Sequence, residues 1–380
     1  MKLFNEDHEQ FRDMVRKFVD KEVIPNRNEW EKNREIPREF WKKLGELGCL
    51  GFAYDEKYGG MNLDFIYSVV LTEELTRSRC GGLDAAVACH NDMASTYINL
   101  AGTDEQKEKY LPRCITGDAV CGIGVTEPNT GSDVAAIRLT AVRDGDDYIL
   151  NGQKTFITNG YCGDLIVTAA KTDTNAKPPH RGISLFIVEK GTPGFSSNKL
   201  EKMGCHATDT AELFYDDCRV PAANLLGEEG SGFKTTMTNF QKERLIATVM
   251  AMGYCDVMIQ DTIAYTKERT AFGQPISQFQ VNKHKIVEMA AEAEMAKIFT
   301  YHIAQEYIEG RDMMKEISMA KYLTSDLANK IAYQCVQLHG GYGYMDEYQI
   351  SRDYTNVRAH TITGGTNEIM KEIVADRLGL

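Results

Sequence analysis

The sequence predicts an α+β chain of three parts: an N-terminal α-helical domain over residues 1–118, a strand-rich middle domain over 119–228, and a C-terminal helical bundle over 229–380. Three observations predict it. Apolar residues recur at helical spacing as far as about Gly117. From Ala119 the period becomes that of strands, with hairpin dipeptides between the runs. From Phe233 onward the pattern is helical again, in segments long enough for a bundle.

In the first part, Phe11, Met14, Val15, Phe18 and Val19 form a helical stripe that stops at Pro25. Helical patterns follow over Phe40–Leu50, Phe65–Leu75 and about Leu83–Leu100, with a shorter one over Glu105–Leu111. In the second part, Tyr148-Ile149-Leu150 lies between Asp144-Gly145 and Asn151-Gly152, dipeptides suited to tight hairpins. Leu165–Ala170, Ile183–Val188 and Ala211–Tyr215 read as further strands, and turn signals this closely spaced predict a barrel or sandwich. Pro221 and the glycine-rich Gly227–Gly232 stretch close that domain. The bundle breaks near Gly273-Gln274-Pro275, Gly310-Arg311 and Gly340-Gly341.

With 380 residues, 43% of them hydrophobic, the chain can bury a large core. A net charge of -12 argues against a nucleic-acid partner, which needs a clustered basic surface. Ten cysteines carry no CxxC pair and no metal-ligand spacing, so no metal is expected and the thiols suit a reducing compartment. No apolar run approaches the roughly 20 residues needed to span a bilayer, and no targeting segment is visible. The expectation is a cytoplasmic protein, most simply a bacterial one.

Three segments stand out, and in the first of them glycine and small hydroxyl residues packed together over Thr126–Asp133 let backbone N–H groups approach a flat ring or a phosphate. They are Val125-Thr126-Glu127-Pro128-Asn129-Thr130-Gly131-Ser132-Asp133, then Gln337-Leu338-His339-Gly340-Gly341-Tyr342-Gly343-Tyr344, then Thr361-Ile362-Thr363-Gly364-Gly365-Thr366-Asn367-Glu368-Ile369-Met370. Together they resemble the acyl-CoA dehydrogenase flavoprotein family, and the resemblance extends over the whole chain. It implies the family's fold, with a helical N-terminal domain, a middle β-barrel and a C-terminal four-helix bundle. It further implies FAD as cofactor, an acyl-CoA substrate, an electron-transfer flavoprotein as acceptor, and a homotetramer built as a dimer of dimers.

Carried over residue by residue, the resemblance lines FAD with Ile123, Val125, Thr126, Gly131 and Ser132, and gives Ser132 a contact to the acyl-CoA. Phe156, Ile157 and Thr158 match the segment whose aromatic covers the flavin face and whose hydroxyl reaches N5. Phenylalanine replaces the more usual tryptophan there, keeping a stacking surface without the indole donor; the competing reading of Phe156 is barrel core. Arg269, Phe272 and Gln280 resemble the segment that reaches a partner subunit's FAD, where an arginine fork suits a pyrophosphate. Gln337, Leu338, His339, Gly340, Gly341, Thr366, Asn367 and Glu368 match further flavin-lining positions. No chemistry is placed on His339.

Many family members carry the catalytic glutamate immediately before the Gly-Thr of the last segment, where this chain has Gly364. The long-chain and isovaleryl-type subset carries it instead on a helix of the bundle, in a motif ending Glu-Arg-Leu. Here Asn239-Phe240-Gln241-Lys242-Glu243-Arg244-Leu245 places Glu243 at that position. On a helix, Glu243 has Asn239, Phe240, Ile246, Ala247 and Met250 for neighbours. A carboxylate on so apolar a stripe is costly without a purpose or a partner. The competing reading is a buried ion pair with a Lys or Arg of another helix. Under the resemblance, Gly364 leaves room for Glu243, and Gly364, Gly365, Gln241 and Arg244 bind the thioester and the CoA.

Asp92 is the second carboxylate singled out, because Ala88, Cys89, Ser95 and Thr96 around it are small. One reading makes it a second base for 1,4-elimination from an alicyclic enoyl-CoA, as in cyclohexane- or cyclohex-1-ene-carbonyl-CoA dehydrogenases; the other makes it a solvated or capping Asp. Two other functions compete with dehydrogenation of a long, branched or alicyclic acyl-CoA: an acyl-CoA oxidase on the same fold, and a base-less scaffold.

Overall fold

The computed structural model describes residues 3–380. Helix α1, Glu6–Phe18, starts at a reciprocal capping box between Asn5 and His8 and runs on into a π-helical turn at Val19–Val23. α2 (Arg27–Asn33), α3 (Arg38–Glu46) and α4 (Ile66–Arg77) follow. The predicted helix from Leu83 is three pieces: α5 (Leu83–Ala88), a π-helical segment at Cys89–Ala94, and α6 (Ser95–Ala101). α7, Asp104–Ile115, begins at a Thr103–Gln106 capping box and outruns the predicted Glu105–Leu111 at both ends.

The middle domain is one eight-stranded sheet of β1 (Cys121–Gly124), β2 (Thr140–Asp144), β3 (Asp147–Thr158), β4 (Leu165–Lys171), β5 (Ile183–Glu189), β6 (Phe195–Lys199), β7 (Thr210–Pro221) and β8 (Leu225–Leu226). Its hydrogen-bonded path runs β6-β7-β3-β2-β4-β5-β8, with β1 paired parallel to β4. The path has two ends, so the ladder itself does not close as a barrel's would. β3 and β7 form its longest pairing, interrupted by bulges at Leu150/Gly152 and Lys154/Ile157. A bulge adds a residue to one strand and re-aims its side chains.

The C-terminal domain contains α8 (Gly232–Glu268), a short hairpin of β9 (Thr270–Ala271) and β10 (Gln274–Pro275), then α9 (Gln280–Ile308), α10 (Met314–His339), α11 (Gln349–Val357) and α12 (Asn367–Leu378). Three of these, α8, α9 and α10, are long helices, while α11 and α12 are short. α8 spans 37 residues and leaves the bundle on one side to pack against α4 and the π-helical segment. That packing brings residues 239–246 against Asp92 and Tyr97. Among the described residues no helix is long and apolar enough to cross a membrane.

Candidate active site

Glu243 is 6% exposed and sits at the contact of α8 with α6. Its Oε1 accepts hydrogen bonds from the Tyr97 hydroxyl (2.9 Å) and from Asn239 Nδ2 (2.8 Å), one helical turn earlier. No cation lies within ion-pair distance of it among the described residues, so the buried ion pair is not what is found. Burial pushes its carboxyl up to about 7, against the two hydrogen bonds and the fields of Arg244 and Lys242. Such a carboxylate can accept a proton at neutral pH.

Asp92 is also buried, but it is not free. Its Oδ1 is 2.9 Å from Lys242 Nζ and accepts from Ser68 Oγ at 2.8 Å, while its main-chain oxygen accepts from the same Asn239 (3.1 Å). The solvated or capping expectation is thus replaced by an ion pair one hydrogen bond removed from Glu243.

Arg244 is 7% exposed, stacks on Phe240 with its guanidinium 5.4 Å from the ring centre, and leaves Nε without a partner. Beside it lies the Gly364–Gly365 turn, both residues at positive φ (66° and 91°). A Cβ at Gly364 would meet nothing within 4 Å, whereas one at Gly365 would stand 2.7 Å from Met370 Cε. The space that a side chain at 364 could occupy is open. The turn is held by a group the sequence reading missed: Lys321, 1% exposed, donates to the Gly365 oxygen (2.6 Å) and to Asn367 Oδ1 (3.2 Å).

Phe156 lies in the second bulge of β3, at φ 60° and 69% exposed, so it is not barrel core. A strained backbone that turns an aromatic outward is characteristic of a binding surface. Ile157 is the reverse: its side chain is buried in the sheet core, which leaves only its main chain for a cofactor. Val125 is likewise core, while Gly131 and Ser132 are exposed and Ile123, Thr126 and Thr158 are half-buried. Cys89 Sγ lies 3.6 Å from the Thr158 oxygen.

A separate cleft of about 480 Å³ is lined by Arg269, Gln337, Leu338, His339, Gly340 and Gly341 with Tyr265 and Tyr342 among others, all from the C-terminal domain. At Gly340 and Gly341 an added Cβ would meet nothing, so the backbone there is open to a ligand. His339 is buried, stacked on Tyr265 and bonded to the Cys335 oxygen, a structural placement. Phe272 is 95% exposed beside the cleft's hairpin, and Gln280 is exposed at the start of α9. Thr366 caps α12, Asn367 is enclosed by Lys321, Ser325 and Asp326, and Glu368 is exposed. The side chain of Asn367 is therefore unavailable to a cofactor.

A second cleft, about 540 Å³, opens at the start of α8 between His180, Arg181, Lys234, Met237 and Gln241. Gln241 lies one turn from Arg244 along the same helix. The exposed Phe156, the open glycines and the arginine at the first cleft fit a flavin dinucleotide, which needs an aromatic cover and anion-binding donors.

Residues 5–118, 122–218 and 230–379 match the N-terminal, middle and C-terminal domains of the acyl-CoA dehydrogenases. The long-chain specific acyl-CoA dehydrogenase of Mus musculus is 44% identical over 99% of this chain and 87% of its own. An acyl-CoA dehydrogenase from Geobacillus kaustophilus superposes with a TM-score of 0.97 at 51% identity, covering 99% of each chain. A glutaryl-CoA dehydrogenase from Mycobacterium smegmatis, solved with FADH2, superposes at 0.92 and 31% identity over 99% of this chain and 95% of its own. The chain belongs to the acyl-CoA dehydrogenase family, the FAD-dependent oxidoreductases of acyl-CoA.

Proposed function

We propose that the protein removes the α proton of a long, branched or alicyclic acyl-CoA with Glu243 and releases the trans-2-enoyl-CoA, its electrons passing to an electron-transfer flavoprotein. The observation that carries this reading is a buried carboxylate with neutral donors only, raised to about 7, next in sequence to Arg244, whose guanidinium reaches the Gly364–Gly365 turn. FAD, when bound, accepts the β hydride. Tyr97 and Asn239 fix one oxygen of Glu243 and leave the other for the substrate. Arg244, with its unpartnered Nε, and Gln241 bind the CoA side of the substrate, while the main chain at Gly364 and Gly365 receives the thioester oxygen. The basic cleft of Arg181 and Lys234 suits the CoA phosphates.

FAD lies across Ile123, Val125, Thr126, Gly131, Ser132, Phe156, Ile157 and Thr158 in one subunit. The Arg269 and Gln337–Gly341 cleft, lined by no middle-domain residue, serves a partner's FAD together with Phe272 and Gln280. The exposed Phe272, Val287, Met295 and Ile298 on that side suit burial in a homotetramer. Ten free cysteines suit a cytoplasmic location in a bacterium.

Anaerobic titration of the yellow holoenzyme with linear, branched and alicyclic acyl-CoAs tests the activity. At least one class is expected to bleach the flavin band stoichiometrically; a flavin that no acyl-CoA reduces overturns the reading. Tyr97→Phe tests the base. Losing a donor to the charged form raises the carboxyl further, so kcat/KM should fall about tenfold at pH 6 and by less than about threefold above pH 8. A profile superimposable on the wild type counts against Glu243 as the group that titrates.

A further inference from the structure

The ion pair beside Glu243 is unusual in its placement. Lys242 and Glu243 are consecutive on α8, and the Lys242 ammonium, its side chain 14% exposed, acts on the charge of Glu243 as well as on that of Asp92. It goes to Asp92, at 2.9 Å, and Ser68 supports that choice by donating to the same oxygen. Asn239 then ties the Glu243 carboxylate to the main chain at Asp92, donating to Glu243 Oε1 and to the Asp92 main-chain oxygen. Glu243 is left with neutral donors.

We propose that Lys242 and Asp92 are paired positioning residues for the base: Asp92 holds the ammonium to itself and offsets part of its field, so that Glu243 remains able to take a proton rather than being neutralised as an ion pair. This rests on Glu243 being the base. A carboxylate paired to a buried ammonium is a weak proton acceptor, because the cation favours its charged form. A lysine next to the base is tolerable only if its charge is balanced, and Asp92 balances it.

The other groups facing Glu243 do not take over this task. Tyr97 of α6 donates a neutral hydrogen bond, and Cys89 of the π-helical segment stays a neutral thiol because burial pushes it up. Arg244 is the other α8 cation whose field reaches Glu243, and it is directed toward Phe240 and Gly365, where Lys321 of α10 faces it.

The test is the pH dependence of kcat/KM for the holoenzyme on an acyl-CoA it turns over, since that ratio reports the free enzyme's base. In Asp92→Asn the ammonium is released toward Glu243, and the acid limb should move down by about one to three pH units, the range for a unit charge from roughly 12 to 4 Å away at an effective dielectric near 20. In Lys242→Met the Asp92 charge acts unopposed, and the limb should move up by about as much. The double variant should return to the wild-type position. Limbs that coincide in all four proteins overturn the inference, as does loss of all turnover in Asp92→Asn with an unshifted Lys242→Met, the behaviour of a second base. Should Asp92→Asn yield no folded holoenzyme, the upward shift in Lys242→Met decides alone. Glu243→Gln separates the two levels: if it abolishes turnover while the limbs stay fixed, the pair fails and the base stands; if it retains turnover, the base assignment itself fails.

Discussion

Glu243→Gln should retain FAD and fold normally while its turnover falls by at least about 10²-fold, the scale of losing a general base. The amide keeps the shape and can still accept from Tyr97 and Asn239, so the change removes basicity and little else. Wild-type kcat/KM should rise with pH through a limb near 7, where burial has pushed this carboxyl. The same shift has a second consequence. The native protein takes up a proton at Glu243 near pH 7, and the unfolded chain near the ordinary 4.5. Between those values the native state binds more protons, so its stability falls as pH rises, and above pH 7 the full deficit is up to about 3 kcal/mol. Glutamine removes it. The inactive variant should therefore melt higher than wild type at pH 8, with the gap closing toward pH 4.5. Unchanged turnover refutes the base; an inactive variant with no pH-dependent gain in melting temperature refutes its desolvation.

The parts of this site carried by local spacing were legible in the sequence. Glu243 and Asn239 are four residues apart on one helix face, and the Gly-Gly turn announces its positive φ by composition. Tyr97 was not legible, because it lies 146 residues from Glu243 and only the packing of α8 on α6 brings them together. The π-helical segment at Cys89–Ala94 was hidden for another reason: one extra residue in a turn does not disturb an apolar period that short. It aims Asp92 at Lys242, so a residue read as a base or a solvated Asp is an ion-pair partner. α2 was missed because Arg27–Asn33 is almost wholly polar, and β6 because most of its residues are exposed. Phe156 could be matched by resemblance, but its outward direction depends on a bulge that the alternation of β3 does not reveal.

Lys154→Met should be the most damaging single change outside the base, lowering stability by about 3–5 kcal/mol and releasing FAD. Lys154 is 0% exposed, and its ammonium donates to Glu127 Oε1 (2.8 Å) and to the Val125 oxygen (3.0 Å). Glu127 in turn accepts the main-chain N–H groups of Arg138 (2.6 Å) and Leu139 (2.9 Å). One buried pair thus ties both ends of the 125–139 loop, which carries Thr126, Gly131 and Ser132, to the strand that carries Phe156. Methionine fills the volume but leaves a buried carboxylate without its cation, and removing one partner costs more than the pair contributes. Glu127→Gln should be milder, because burial already holds the Lys154 ammonium down at about 8 and it can shed its proton near neutral pH at small cost. Thermal unfolding with and without added FAD, read alongside the flavin retained on gel filtration, ranks the two variants. If Lys154→Met keeps both its flavin and its melting temperature, the loop is held by something other than this pair, and the flavin surface on the middle domain has to be rebuilt from residues other than those it anchors.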